Sequence, residues 1–104
     1  MRVDSARFIP VLIRFADGEV EDSWGRFIEL GPGGGRLITR RRVRDADPLL
    51  LSFDLPGERL EGLPARVRRS WTDADGYCVA SFGFPDAEVK EKLGRILRRI
   101  LSTA

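Results

Sequence analysis

The sequence predicts a mainly β protein, in which six short antiparallel strands form a barrel or a sandwich and one α-helix follows. Three observations predict this class. Apolar and polar residues alternate in short runs between residues 8 and 84. Turn signals separate these runs, and the apolar period changes to that of a helix after Pro85. Because 104 residues have room for one core, we expect a single domain with a flexible N-terminal arm at 1–7, strands at 8–84 and a helix at 86–102.

The first two strands are predicted on either side of a hairpin turn. Phe8–Phe15 alternates in the manner of a strand, and Asp17-Gly18 is a hairpin signal. The returning run Glu19–Leu30 then reaches the glycine cluster Gly31–Gly35. Glycine weakens the interior of strands and helices, so we expect this cluster to lie outside both.

The middle of the chain predicts a short strand, a loop and a strongly apolar strand. Arg36–Thr39 is the short strand, and Arg40–Pro48 is polar and basic enough to be an exposed loop. Apolar residues then dominate Leu49–Leu55, which ends at the turn signal Pro56-Gly57. We therefore expect Leu49–Leu55 to be a central strand.

A second hairpin is predicted before the helix. In the run Leu63–Trp71, the residues Ala65, Val67 and Trp71 are expected to share the buried face. Residues 73–76 form the next turn, and 77–84 form the partner strand.

The last segment has the period of an amphipathic helix. Asp86 is a suitable N-cap residue, and the basic residues Arg98 and Arg99 lie near the negative C-terminal end of the helix dipole. This helix must pack on the barrel, close one of its ends or contact another protein, because it has one apolar stripe: Val89, Leu93, Ile96, Leu97, Ile100 and Leu101.

The composition excludes several kinds of site. The chain contains no histidine and a single cysteine, Cys78, so it offers neither an internal disulfide nor the ligands of an ordinary transition-metal site. Its carboxylates fall in predicted turns, where aspartate commonly forms the turn itself. We therefore expect no enzymatic activity, no metal and no cofactor.

No segment of the sequence is typical of export or of membrane insertion. The N-terminus lacks an apolar stretch of signal-peptide length, and no run reaches the roughly 18 apolar residues that cross a bilayer. We therefore expect a cytoplasmic protein without membrane insertion, and the initial Met1 favours a stand-alone chain.

Arginine supplies nearly all of the positive charge. Guanidinium groups pair bidentately with phosphates, so this bias is compatible with an anionic nucleotide ligand, although a GC-rich genome gives the same composition. The basic run Arg40–Arg44 is one way for a small barrel to bind nucleic acid. We do not expect nucleic acid as a partner, because 16 acidic residues nearly balance 18 basic ones and the aromatic residues are expected to face inward.

The glycine cluster does not match the known phosphate-binding loops. A Gly-x-Gly-x-x-Gly motif fails because Arg36 occupies its last position, and no Gly-Lys-Ser/Thr follows. A tight turn explains two or three of the glycines. The others leave open a close approach of the backbone to a ligand or to a neighbouring strand.

Three segments resemble the PilZ family, bacterial receptor domains for cyclic di-GMP. Residues 27–37, FIELGPGGGRL, resemble the family's second-strand motif Asp/Asn-x-Ser-x-x-Gly. Leu51–Gly57 resembles the following Leu-x-Phe-x-Leu-Pro strand, and Gly83-Phe84 resembles the late Gly-x-x-Phe region before a closing helix. The resemblance spans nearly the whole chain and implies a six-stranded antiparallel PilZ-like β-barrel with a C-terminal α-helix.

The resemblance also implies which residues bind the ligand. In PilZ domains an Arg-x-x-x-Arg pair near the N-terminus contacts guanine faces and phosphates, and the second motif supplies a carboxylate and small groups to the guanine edge. Here Arg2 and Arg7 are the available pair, one residue farther apart. Glu29, Gly31 and Gly34 take the carboxylate, serine and final glycine positions, of which only Gly34 is unaltered.

Two functions follow from this resemblance. The first is a cyclic di-GMP receptor or adaptor domain that signals to a protein partner in the pilus, flagellar or chemosensory machinery and so regulates motility. The alternative is a degenerate PilZ domain that does not bind cyclic di-GMP and acts through protein-protein contacts. A nucleic-acid-binding barrel is a third function, which salt-dependent affinity for generic oligonucleotides would distinguish.

Overall fold

A closed barrel of six antiparallel strands forms the body of the protein. The structure is a computed structural model and describes residues 9–15 and 22–102. Its elements are β1 (Pro10–Phe15), β2 (Ser23–Gly31), β3 (Gly34–Thr39), β4 (Pro48–Leu55), β5 (Glu58–Thr72), β6 (Cys78–Gly83) and α1 (Ala87–Ser102). The strands pair in the order β1-β2-β3-β6-β5-β4, and β4 closes the barrel on β1. The predicted mainly β barrel with a C-terminal helix is confirmed, whereas the arm at 1–7 and the Asp17-Gly18 turn lie outside the described residues.

The core fills the barrel with aromatic and branched side chains. Phe27 is fully buried and packs edge-on against Phe53, with ring centroids 4.8 Å apart. The ring centroids of Phe82 and Phe27 lie 5.8 Å apart, and Phe82 also packs edge-on against Phe84. Phe27, Phe53 and Phe82 alternate along their strands with outward-facing residues, as the alternation in the sequence predicts, and Phe84 follows the end of β6.

The helix α1 continues this core at one end of the barrel. Leu93, Ile96 and Leu97 belong to the same buried cluster as the barrel side chains. Lys92 and Arg99 both pair with Glu58, which begins β5 just after the β4–β5 turn. The apolar stripe of the helix is therefore used, at least in part, to cover the barrel end at which this turn lies.

The helix begins where the sequence predicts. Asp86 is its N-cap, because its side-chain oxygen Oδ1 accepts a hydrogen bond of 2.8 Å from the backbone N–H of Glu88. The backbone carbonyl of Asp86 accepts from Lys90 at 3.1 Å, which closes the first turn.

The strand pairing has three register irregularities, one of them between β4 and β5, and the two in β2 and in β5 opposite β6 decide which side chains of the site face outward. In β2 the pairing passes from Phe27 to Glu29, so that Ile28 is the extra residue. In β5 it passes from Val67 to Arg69, so that Arg68 is the extra residue. Beyond each bulge the alternation changes phase, because one residue has been inserted into a pattern of period two.

The bulge at Arg68 explains why the predicted position of Trp71 is wrong. Ala65 and Val67 are buried as expected, but Trp71 is 39% exposed. It pairs with Val79 on the outward side, two positions after Arg69 pairs with Ser81. The bulge has moved it from the inner face, where simple alternation puts it, to the outer face.

The glycine cluster and the basic loop also differ from their predictions. Gly31 and Gly34 pair across a hairpin whose loop is Pro32-Gly33, so Gly31 ends one strand and Gly34 and Gly35 begin the next. The cluster is thus partly strand, because the hairpin needs its glycines in the pairing itself. The loop after β3 is largely exposed, but its Val43 is 1% exposed and belongs to the core.

Candidate ligand-binding surface

The outward side of β2, β3, β6 and β5, here called the outer face, carries the candidate ligand-binding side chains: a carboxylate, several arginines, three glycines and exposed aromatic rings. The bulge at Ile28 turns Glu29 toward this face, since Phe27 two residues earlier is buried in the core. Glu29 then lies opposite Arg36 on β3. Without the bulge, the carboxylate of the sequence motif would point into the barrel.

Glu29 and Arg36 form a bidentate ion pair. The Nε of Arg36 donates to Glu29 Oε2 at 3.1 Å, and its Nη2 donates to Oε1 at 2.5 Å. Both side chains are about one-third exposed, at 31% for Glu29 and 37% for Arg36. The hydrogen bond that Arg36 donates to Glu29, together with the negative charge of Glu29, raises the pKa of Arg36 above its ordinary value.

Beside this pair three neighbouring strands carry glycine at one level. Gly31 on β2 pairs with Gly34 on β3, which pairs with Gly83 on β6. We call these three residues the glycine strip. A side chain at Gly34 is excluded, because its φ is +144° and a Cβ would collide with the backbone carbonyl of Phe82.

Gly83, at one end of the glycine strip, differs from Gly34 in what surrounds it. At Gly83 the three atoms nearest to an added Cβ all belong to the Arg68 guanidinium, whose Nη2 would lie 2.5 Å away and whose Cζ would lie 2.8 Å away. The fold therefore tolerates a side chain there only if Arg68 moves. Arg68 is the bulge residue of β5, and its guanidinium lies over the strip at this end.

A basic groove continues from the strip. It has a volume of about 510 Å³, and its lining includes Arg66, Arg68, Gly83 and Lys90. One carboxylate in the lining, Asp45, accepts hydrogen bonds from the backbone N–H and the hydroxyl of Ser70. Cations thus outnumber carboxylates in this groove, which suits an anionic ligand.

The site residues predicted from the sequence are only partly brought together. Glu29, Gly31 and Gly34 lie next to one another on the β2–β3 hairpin. Arg2 and Arg7 lie outside the described residues. The sequence prediction missed Arg36 and Arg68, because their places depend on strand register and on bulges. The hairpin loop could have indicated Arg36, since a two-residue loop brings the residues on either side of it into register.

The opposite end of the outer face carries the aromatic side chains Trp24, Tyr77 and Trp71, and we call it the aromatic end. Trp24 on β2 is 64% exposed, and it lines a groove of about 430 Å³ together with Arg26, Arg40 and Tyr77. The prediction that the aromatic residues face inward is therefore wrong for Trp24 and for Trp71. Trp24 directly precedes the inward-facing Gly25, and the bulge accounts for Trp71.

The buried hydroxyl of Thr39 links the strands at the aromatic end by hydrogen bonds. Thr39 is 3% exposed, and its Oγ1 donates to the backbone carbonyl of Trp24 at 2.9 Å. The same oxygen lies 3.1 Å from the Ser23 hydroxyl and accepts from the backbone N–H of Arg41 at 3.3 Å. Thr39 thus fixes the backbone on both sides of the aromatic groove.

Two further features bear on what the chain can bind. Among residues 9–15 and 22–102, no group of three or more cysteine, aspartate or glutamate side chains is placed to hold a metal ion. The one helix in this part of the chain is too short and too polar to span a membrane.

These elements define a small closed antiparallel barrel with a helix over one end and a candidate binding surface on its outer face. The crystal structure of the PilZ domain of CeSA, from a cellulose-synthesizing bacterium, is similar to this chain with a TM-score of 0.60 and 22% identity. The similarity covers 90% of this chain and 93% of that chain. No protein-family model matches, and no curated protein matches. The chain has a PilZ-like fold.

Proposed function

We propose that this chain is a non-enzymatic, cytoplasmic PilZ-type receptor domain that binds cyclic di-GMP and signals to a protein partner. The observation that supports this function is the outward carboxylate of Glu29 beside the glycine strip, on a PilZ-like fold and at the position that the sequence motif implies. A carboxylate accepts hydrogen bonds from N1 and N2 of guanine, and glycines leave room for a flat ring.

The surrounding cations suit the other part of such a ligand. Cyclic di-GMP carries two phosphates, and Arg68 and Arg66 line the groove that adjoins Gly83. Guanidinium groups bind phosphate oxygens in pairs and stack on purine rings. In this proposal Arg2 and Arg7 add further contacts from the N-terminal arm, as in the family motif.

Calorimetric titration with cyclic di-GMP, beside GTP, tests this function. We expect micromolar or tighter binding to the intact chain. Glu29→Gln removes the charge but keeps the shape, and it should weaken binding roughly 10- to 100-fold, the loss expected for one charge-assisted contact. Arg7→Ala should weaken it as well.

The matched control is Glu61→Gln, which changes a solvent-exposed carboxylate on β5 and should leave the affinity unchanged. If the chain shows no heat of binding up to about 100 μM cyclic di-GMP, the receptor function is wrong.

A second candidate function is a PilZ-like adaptor that does not bind the nucleotide and works through protein contacts. The bidentate pair with Arg36 supports it, because both oxygens of Glu29 already accept hydrogen bonds within the chain. Gly31 also lacks the hydroxyl of the family motif. Candidate partners are proteins of the pilus, flagellar or chemosensory machinery.

Arg36→Met separates the two functions. If the intramolecular pair blocks the site, this variant should bind cyclic di-GMP where the unaltered chain does not. If the chain is a receptor, the unaltered chain binds and Arg36→Met gains nothing. A direct binding measurement with each purified candidate partner then tests the adaptor function.

A further inference from the structure

The aromatic end of the outer face is not explained by cyclic di-GMP binding at the glycine strip. Trp24 is 64% exposed and Trp71 is 39% exposed, and these are the two tryptophans of the chain. Tryptophan is a large side chain that folding normally places at least partly inside. Their exposure on one face therefore calls for a ligand or a partner.

At two places in the aromatic end, an arginine guanidinium lies close to an aromatic ring. The Cζ of Arg40 lies 5.8 Å from the centroid of Tyr77, in the groove that Trp24 also lines. On β5 the Cζ of Arg69 lies 5.7 Å from the centroid of Trp71. Within the part of the chain that the structure describes, neither Arg40 nor Arg69 forms an ion pair with a carboxylate. Both charges are thus available to an anion.

The register places the two tryptophans on opposite sides of one continuous platform. Trp24 is on β2 and Trp71 is on β5, and β3 and β6 lie between them. Three strand spacings correspond to about 14 Å across the sheet. The surface between them contains Ile38 of β3 and Val79 of β6, which pair with each other.

We propose that this end of the outer face binds single-stranded nucleic acid, with bases stacking on Trp24 and Trp71 and phosphates contacting Arg40 and Arg69. Single-strand binding surfaces combine aromatic side chains, on which bases stack, with cations that contact the backbone. An acidic protein segment would satisfy the arginines, but it has no series of large planar groups to cover exposed rings. The alternation of ring and cation therefore favours a nucleic acid.

This binding does not depend on cyclic di-GMP. Trp24, Arg40 and Trp71 lie toward the opposite end of the outer face from Gly34, whereas Arg69 pairs with Ser81 in the same cross-strand row as Arg36 and Glu29. Variants of Trp24 therefore separate the two functions, and each function can fail alone. The proposed site also differs from the basic run Arg40–Arg44 that the sequence shows. It uses Arg40 of that run together with Arg69, which belongs to β5 and is distant in the sequence.

The first measurement is the quenching of intrinsic tryptophan fluorescence in the intact chain by a 15-nucleotide oligo-dT and by oligo-U. Both tryptophans lie on the proposed surface, so the emission reports on that surface directly. We expect saturable quenching. Raising the salt from about 50 to about 200 mM should weaken binding five- to tenfold if two phosphates are contacted.

Variants and a competing polyanion complete the test, with fluorescence polarisation of labelled oligo-dT as the readout. Trp24→Ala should weaken binding roughly tenfold, as expected for one stacked base, and Trp24→Phe should restore most of the loss. Arg95→Ala, an exposed arginine on α1, should leave it unchanged. The proposal is overturned if oligonucleotides do not quench the fluorescence, or if poly-glutamate of equal charge binds as tightly, which would indicate an acidic protein partner instead.

Discussion

The two ends of the outer face differ in how much of their chemistry the barrel itself requires. At the end that contains the glycine strip, β3 approaches β6 so closely that position 34 accepts only glycine. At the same end, Glu29 is hydrogen-bonded by Arg36. At the aromatic end, Trp24 is 64% exposed, so burial in the core does not explain it. A glycine in a binding motif can therefore be explained by folding alone, whereas an exposed tryptophan cannot.

This difference has a practical consequence for mutagenesis. A substitution in the glycine strip changes the barrel and the ligand site together, so a loss of binding there has two explanations. A substitution of an exposed aromatic residue changes the surface and leaves the barrel intact. Unfolding free energies measure this contrast, and we expect the greatest loss in the glycine strip and the least at Trp24.

Gly34→Ala should give the largest loss of stability among substitutions on the outer face, about 3 kcal/mol or more. The added Cβ meets the carbonyl of Phe82 and adopts a φ that favours glycine, so strain and steric overlap act together. Gly33→Ala is the matched control, since a Cβ at Gly33 meets no atom within 4 Å. Urea denaturation measures both, and equal losses would mean that the strand approach does not demand Gly34.

Thr39→Val should cost about 1–2 kcal/mol, because it keeps the volume but removes the hydroxyl that bonds the carbonyl of Trp24. Thr72→Val, at the exposed end of β5, is the control and should be close to neutral. If both variants are neutral, the buried hydroxyl does not hold the aromatic end in place.

The Glu29–Arg36 pair should contribute only about 0.5 kcal/mol, because both side chains are about one-third exposed and water screens their charges. A double-mutant cycle with Glu29→Gln and Arg36→Met measures the coupling. We expect it to fall with added salt. A coupling of several kcal/mol would instead make Glu29 a structural residue and weaken its assignment to a ligand.

Trp24→Ala should have the smallest effect, below about 0.5 kcal/mol, since the side chain is mostly exposed. Phe27→Ala, three residues along the same strand, removes a fully buried ring and should cost about 3–5 kcal/mol. The pair tests whether the aromatic end is independent of the core. A large loss for Trp24→Ala would show that this tryptophan serves folding.

The sequence predicted the order of strands and the helix, because alternation and the helical period are local properties of the chain. It could not predict the bulges at Ile28 and Arg68, which are properties of pairing with another strand. Simple alternation therefore places Trp71 on the wrong face. Alternation from Phe27 would likewise have buried Glu29, and only the motif resemblance assigned it to ligand binding.

The closure of the barrel limits how a partner can recognise this protein. Since β1 pairs with both β2 and β4, every strand of the described barrel has a neighbouring strand on each side, which disfavours the addition of a partner's strand at an edge. Recognition must then depend on side chains of the outer face and the helix. A nucleotide bound on that face would itself become part of the surface that a partner contacts, so a signal could pass without any rearrangement of the strands.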